Sequence, residues 1–169
     1  MPAPGALAWL DEPPAPADLA GALAAAGSAT PADVDALLDA LDAARAALEA
    51  LAREAFTRAP VSRSTAAFHS ALPDLRPFVL YRLPGLLREA GVYTAAELRA
   101  LAVDAPPAWI AREATRQLAI LAAVRAAVRR LEAGDLAPAE FPAAIRTAAR
   151  QAAAVQPLPV SPIHPEDQR

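Results

Sequence analysis

From Thr30 onward, apolar residues recur at spacings of three and four: Val34, Leu37, Leu41, Ala44, Leu48, Leu51 and Ala55. That period is the period of an α-helix and fits no strand, whose faces alternate every second residue. The start of the run is equally legible. Thr30 offers a capping hydroxyl, Pro31 suits the first helical position, and Asp33 puts an acid in the first turn. The spacing predicts one long heptad-patterned helix over residues 31–57, ended by Pro60. Its apolar seam needs a surface to cover it, either within a helix bundle or on another copy.

Other segments carry the same period in shorter pieces. A short helix is expected from Pro16 to Ala26, stopped by Gly27. Residues 60–73 read as a connection with Ser62, Ser64 and Thr65 as caps and a short helix through Phe68. Pro77 and Pro84 are expected to cut residues 72–87 into short pieces, the second closed by Gly91. Thr94, with Glu97 three residues on, forms a capping box for another short helix. A further long helix starts near Pro106, with Asp104 as its cap. It carries Ile110, Ala114, Leu118, Leu121, Val124, Val128 and Leu131 on one face and stops at Gly134. A last helix is expected from Pro138 or Pro142 to Val155. No segment alternates as a strand does, so the predicted fold class is all-α, a small helical bundle.

The two ends differ from the middle. Residues 1–16 hold five prolines and read as a mobile proline-rich arm, with Trp9 and Leu10 as an apolar anchor for a partner. Residues 17–155 form the helical domain. Residues 156–169 have proline at 157, 159, 162 and 165, a density that prevents helix and favours an extended chain. Leu158, Val160 and Ile163 stand between those prolines and are expected to bind a partner, the tail being either without fixed structure or laid across a groove.

Composition narrows the chemistry. The chain has 16 basic residues, all arginine, two histidines, and no lysine, cysteine or asparagine. Disulfides and lysine Schiff bases are excluded, and His69 and His164 each lack a neighbouring histidine to complete a metal site. No phosphate-cradling glycine loop, nucleophile elbow or dinucleotide fingerprint occurs. The chain is therefore expected to be non-enzymatic and to use no cofactor. About half of its hydrophobic residues are alanine, which predicts a thin core with close helix contacts. The bias toward alanine and arginine indicates a GC-rich, bacterial coding sequence. Apolar runs at 19–27 and 118–124 are far shorter than the ~20 residues of a membrane span. No signal peptide is legible, and the expected location is cytoplasmic.

Charge is divided along the chain, whose net charge is −3. Residues 1–54 set nine carboxylates against Arg45 and Arg53, a balance of −7, whereas residues 55–150 set thirteen arginines against eight acids, +5. Asp35, Asp39, Asp42 and Glu49 fall on one helical face opposite Leu41 and Leu48. They read as a docking strip for an arginine-rich surface, on this chain's own body or on another subunit. Arg112, Arg116 and Arg130 align on the later helix with alanines between them, either edging a close packing seam or contacting phosphates. Residues 86–101 resemble a helix-turn-helix, with Gly91 in the turn and Val92 buried after it, although Glu97 stands where that motif takes an apolar residue. Leu83-Pro84-Gly85-Leu86 is similar to the opening of a helix-hairpin-helix whose second glycine is missing. The favoured expectation is a helical adaptor or assembly protein working through protein–protein contact or self-association. The alternative is a DNA-associated regulator using residues 86–101.

Overall fold

Among the described residues, six α-helices and two 3-10 turns make up an all-α fold, with no strand. The structure is a computed structural model and describes Trp9, residues 13–55 and residues 75–155. Helix α1 is Pro16–Ala25 and passes through the 3-10 turn Ala26–Ser28 toward α2, Pro31–Ala55. Then come α3, Leu75–Glu89, α4, Ala95–Leu101, and α5, Pro107–Ala133. A second 3-10 turn, Pro138–Glu140, leads into α6, Phe141–Val155. No helix among the described residues is long and apolar enough to cross a membrane.

The axis of the bundle is α5, which at 27 residues is longer than the heptad helix α2. Helices α2 and α6 pack along it, and α1 with its 3-10 turn closes against it. Between Ala111 and Leu131 it is buried on more than its predicted face: Thr115, Arg116, Gln117 and Ala122 are covered as well as Leu118, Leu121 and Val124. A helix covered around much of its circumference belongs at the centre of a bundle. Alanines 111, 114, 119, 122 and 127 let neighbouring helices approach it closely.

The heptad seam of α2 is taken up within the chain. Val34, Leu37, Leu41, Ala44 and Leu48 are buried in the common core, where α2 packs chiefly on α5. Leu38 and Ala52 join them, because a straight helix drifts by ~20° per heptad from a strict seven-residue repeat. Leu83, Leu86, Leu87, Val92 and Leu98 bring the α3–α4 hairpin onto the same core, and Phe141 and Ile145 anchor α6.

Helix ends follow local chemistry. The Thr30 hydroxyl accepts from the Asp33 N–H at 3.3 Å, and the Asp33 carboxylate accepts from the Thr30 N–H at 2.8 Å. Gly91 and Gly134 both adopt φ +82°, a left-handed conformation that glycine takes without steric cost. At the first, the Val92 N–H reaches the Leu87 carbonyl at 2.8 Å; at the second, the Asp135 N–H reaches the Arg130 carbonyl at 2.8 Å. Both are Schellman closures that satisfy end carbonyls.

Four expectations need correction. Gly27 does not close α1 as a left-handed residue: it lies inside the 3-10 turn Ala26–Ser28 and its φ is not positive. Pro84 does not break its segment but lies inside α3. Its missing N–H frees one carbonyl on the preceding turn; Pro84 and Gly85 face solvent, while Leu83, Leu86 and Leu87 hold the helix on the core. Pro77 lies in the first turn of α3, where an N–H has no intrahelical partner anyway. Asp104 is not the cap of α5: Pro106 occupies that position, extended, with no side-chain cap bond. The residue before a proline is driven toward extended backbone, so Pro107 fixes the start of the helix by itself. Finally, Trp9, assigned to a free arm, is buried at 9% exposure within the core cluster. An indole offers more apolar area than the alanine-rich surroundings supply, and it is withdrawn from water by its own chain.

Candidate functional site

The acidic face of α2 docks α4. Asp35 Oδ1 lies 2.8 Å from Arg99 Nη2. Asp42 Oδ1 accepts the backbone N–H of Ala95 at 3.1 Å. Glu49 turns toward Arg45 of its own helix, 3.9 Å away, and Asp39 stays exposed. Of the two readings of the strip, an intrachain arginine is thus the observed partner for Asp35.

Helix α4 is held at its N-terminus by several side chains at once. The Thr94 hydroxyl accepts from the Glu97 N–H at 3.1 Å and the Glu97 carboxylate accepts from the Thr94 N–H at 2.9 Å. Arg88 Nη2 sits 3.1 Å from the other Glu97 oxygen. The Thr94 N–H, with the Arg88 charge beside it, holds the Glu97 carboxyl below the usual glutamate range. Asp33 is held low in the same way, first by the Thr30 N–H and then by the Thr30 hydroxyl. Such shifts mark helix caps here, because each carboxylate is engaged by the N–H groups it serves.

These contacts bear on the helix-turn-helix resemblance of residues 86–101. Gly91 does occupy the turn and Val92 is buried after it. Glu97, in the position of an apolar residue, is the capping carboxylate. Helix α4 spans only seven residues, and Arg99 is engaged by Asp35.

Arg112, Arg116 and Arg130 do not form one exposed strip. Arg116 is only 6% exposed, with Nη1 3.2 Å from Glu113 Oε2. Arg112 lies over Gly27, where an added Cβ would meet its Nη2 at 3.0 Å. Arg130 is exposed at the C-terminal end of α5. Sequence reasoning missed the polar group around Arg116. Gln117, fully buried, donates to Glu113 Oε1 at 3.2 Å and accepts the Tyr93 N–H at 2.9 Å. The signal was present as Glu113 with Arg116 and Gln117 three and four residues on, which share one helix face. This group ties α5 to the loop before α4.

An open apolar groove of about 530 Å³ lies between the start of α1, the middle of α5 and the C-terminal half of α6. Pro13, Pro14 and Leu19 line it from the side of α1, Ala119 and Ala123 from α5, and Ala148 and Gln151 from α6. Two large aliphatic side chains are conspicuously uncovered elsewhere: Leu101 and Val103, 63% and 78% exposed. Arg99 meets Asp35 while Ala95 meets Asp42, so α4 runs toward the N-terminal end of α2. Leu101 and Val103 therefore lie beyond Arg99, at the Asp35 end of the acidic face.

Leu10, Leu158, Val160 and Ile163, expected to bind a partner, lie outside the described residues, as do His69, His164 and the connection at 60–73. Among the described residues, no group of three or more histidine, aspartate or glutamate side chains is placed to hold a metal ion. No protein-family model, no curated protein and no solved structure matches the chain.

Proposed function

We propose that this protein is a non-enzymatic helical adaptor whose contact surface is the α4 corner. The observation that supports this reading is the exposure of Leu101 and Val103 just beyond Arg99, the residue that meets Asp35 of α2. Exposed aliphatic side chains are ordinary when scattered, but adjacent ones beside polar residues are characteristic of contact surfaces. Asp104, exposed beside Val103 in the chain, and Asp35, next to Arg99, would supply the acidic edge of this apolar centre. The matching partner is a protein surface with an apolar centre and basic edges, on which opposite charge speeds encounter and sets register.

Such a surface separates from the fold. A Leu101→Ser/Val103→Ser variant changes only exposed side chains, so its melting temperature should match the parent. Partner capture from the source organism should fall by about tenfold or more, since exposed apolar residues at the centre of a contact carry most of its energy. Undiminished capture would place the contact elsewhere. Sedimentation of the same pair of proteins reads self-association: a parent dimer lost in the variant makes the partner a second copy.

A further inference from the structure

Residues 92–105 make a short excursion between two longer helices of the bundle. Gly91, left-handed at φ +82°, closes α3 before it, and Pro106 with Pro107 starts α5 after it. Glycine rotates about its backbone bonds with little steric penalty, so the chain can swing at position 91. The two prolines donate no backbone N–H, so α5 cannot run back into the excursion. Helix α4, inside it, spans seven residues. That is far too few for a helix to persist in water by itself, so α4 exists only while it is held.

What holds it is mostly polar. The tethers to α2 are the Asp35–Arg99 pair at 2.8 Å and the Asp42 carboxylate, which accepts the Ala95 N–H at 3.1 Å. On α5, Gln117 Oε1 accepts the Tyr93 N–H at 2.9 Å. Both members of the ion pair are more than half exposed, where water replaces a partner at little cost. The seat on α5 is an amide that also donates to Glu113, and water can solvate such a surface once it is uncovered. Of the large aliphatic side chains in the segment, only Val92 and Leu98 enter the core. Helix α2 alone buries Val34, Leu37, Leu38, Leu41 and Leu48.

We propose that residues 92–105 are a clasp that opens, and loses its helix, while α2, α5 and α6 stay folded together. Opening releases the Asp35 and Asp42 carboxylates at the same time and uncovers Val92 and Leu98. The open form therefore presents a larger acidic and apolar surface than the closed one. This device does not rest on the contact reading of Leu101 and Val103, and its test involves no partner.

Native-state hydrogen exchange of the full-length protein, in guanidinium concentrations below the unfolding transition, reads the opening. The amides of Tyr93, Ala95, Leu98 and Ala102 should follow one common event. It should be about a hundredfold or more frequent than the event that exposes the α5 amides between Leu118 and Val128, with a shallower denaturant slope because less surface is exposed. Merging with the α5 amides would overturn the proposal, since the segment would then unfold only with the bundle. Rates that scatter from residue to residue without denaturant dependence, or no protection at all, would overturn it as well, leaving fraying in place of a unit. The tethers are tested by Asp35→Ala/Asp42→Ala against Asp39→Ala, all at exposed carboxylates of α2. The double variant should speed exchange of the four amides by about tenfold, and the control by about twofold at most. Equal rates in the two would show that these carboxylates do not hold the clasp.

Discussion

At the scale of single residues, the polar side chains act chiefly as closures for backbone groups. Glu97 is the clearest case, since its carboxylate accepts from Thr94 and pairs with Arg88. Its pKa is depressed in the fold, so its contribution is present above the unfolded value and is lost as pH falls through the folded value. Glu97→Gln keeps an acceptor but removes the charge. The gap in melting temperature between parent and variant should be widest at neutral pH and close as pH drops below the ordinary glutamate value of 4.5. A gap constant with pH would mean the charge contributes nothing. Gln117 makes a different demand, being fully buried with the Tyr93 N–H on its oxygen. Gln117→Leu should cost about 1–3 kcal/mol in denaturant titrations, because that N–H loses its acceptor in a partly buried site. A neutral result would show that water replaces the amide.

At the scale of elements, α2 has two faces with different duties. The apolar one packs on α5, and Leu48→Ala should destabilise by about 2–5 kcal/mol through lost burial and the cavity left behind. Leu41→Asp should prevent folding, since an unpaired carboxylate would enter the core. A Leu41→Asp protein with the parent's helical signal and melting curve would contradict the buried seam. The acidic face holds α4 at two points. Asp42→Ala should cost about 1 kcal/mol, as removal of a helix cap does, whereas Asp39→Ala should stay within about 0.5 kcal/mol. Equal effects in thermal melts would mean that the Asp42–Ala95 bond does not secure α4.

At the scale of the whole molecule, a net charge of −3 and an acidic helix beside α4 work against a phosphate backbone. The protein should leave random duplex DNA unretarded in gel shifts at low salt and micromolar concentration. Retardation that falls steeply with salt and weakens in an Arg112→Ala/Arg130→Ala variant would restore the DNA reading. Arg116 is left out of that variant because its burial beside Glu113 would confound folding with binding.

Local signals in the sequence determined the fold class, the period of α2, the capping hydroxyl of Thr30 and the capping box at Thr94, and the glycine closures at 91 and 134. Each depends on residues within one or two turns of one another, so composition and spacing carry it. Pro84 and Asp104 misled for the opposite reason: a helix held by Leu83, Leu86 and Leu87 on the core tolerates a proline, and a Pro-Pro start needs no cap. The placing of Trp9 in the core, the choice of Arg99 as partner of Asp35, and the burial of Arg116 were decided only in three dimensions. Those outcomes join residues tens of positions apart, or set one face of α5 against another helix. Which of several equivalent apolar or acidic faces is covered depends on how the helices pack, and no periodicity along a single helix encodes that.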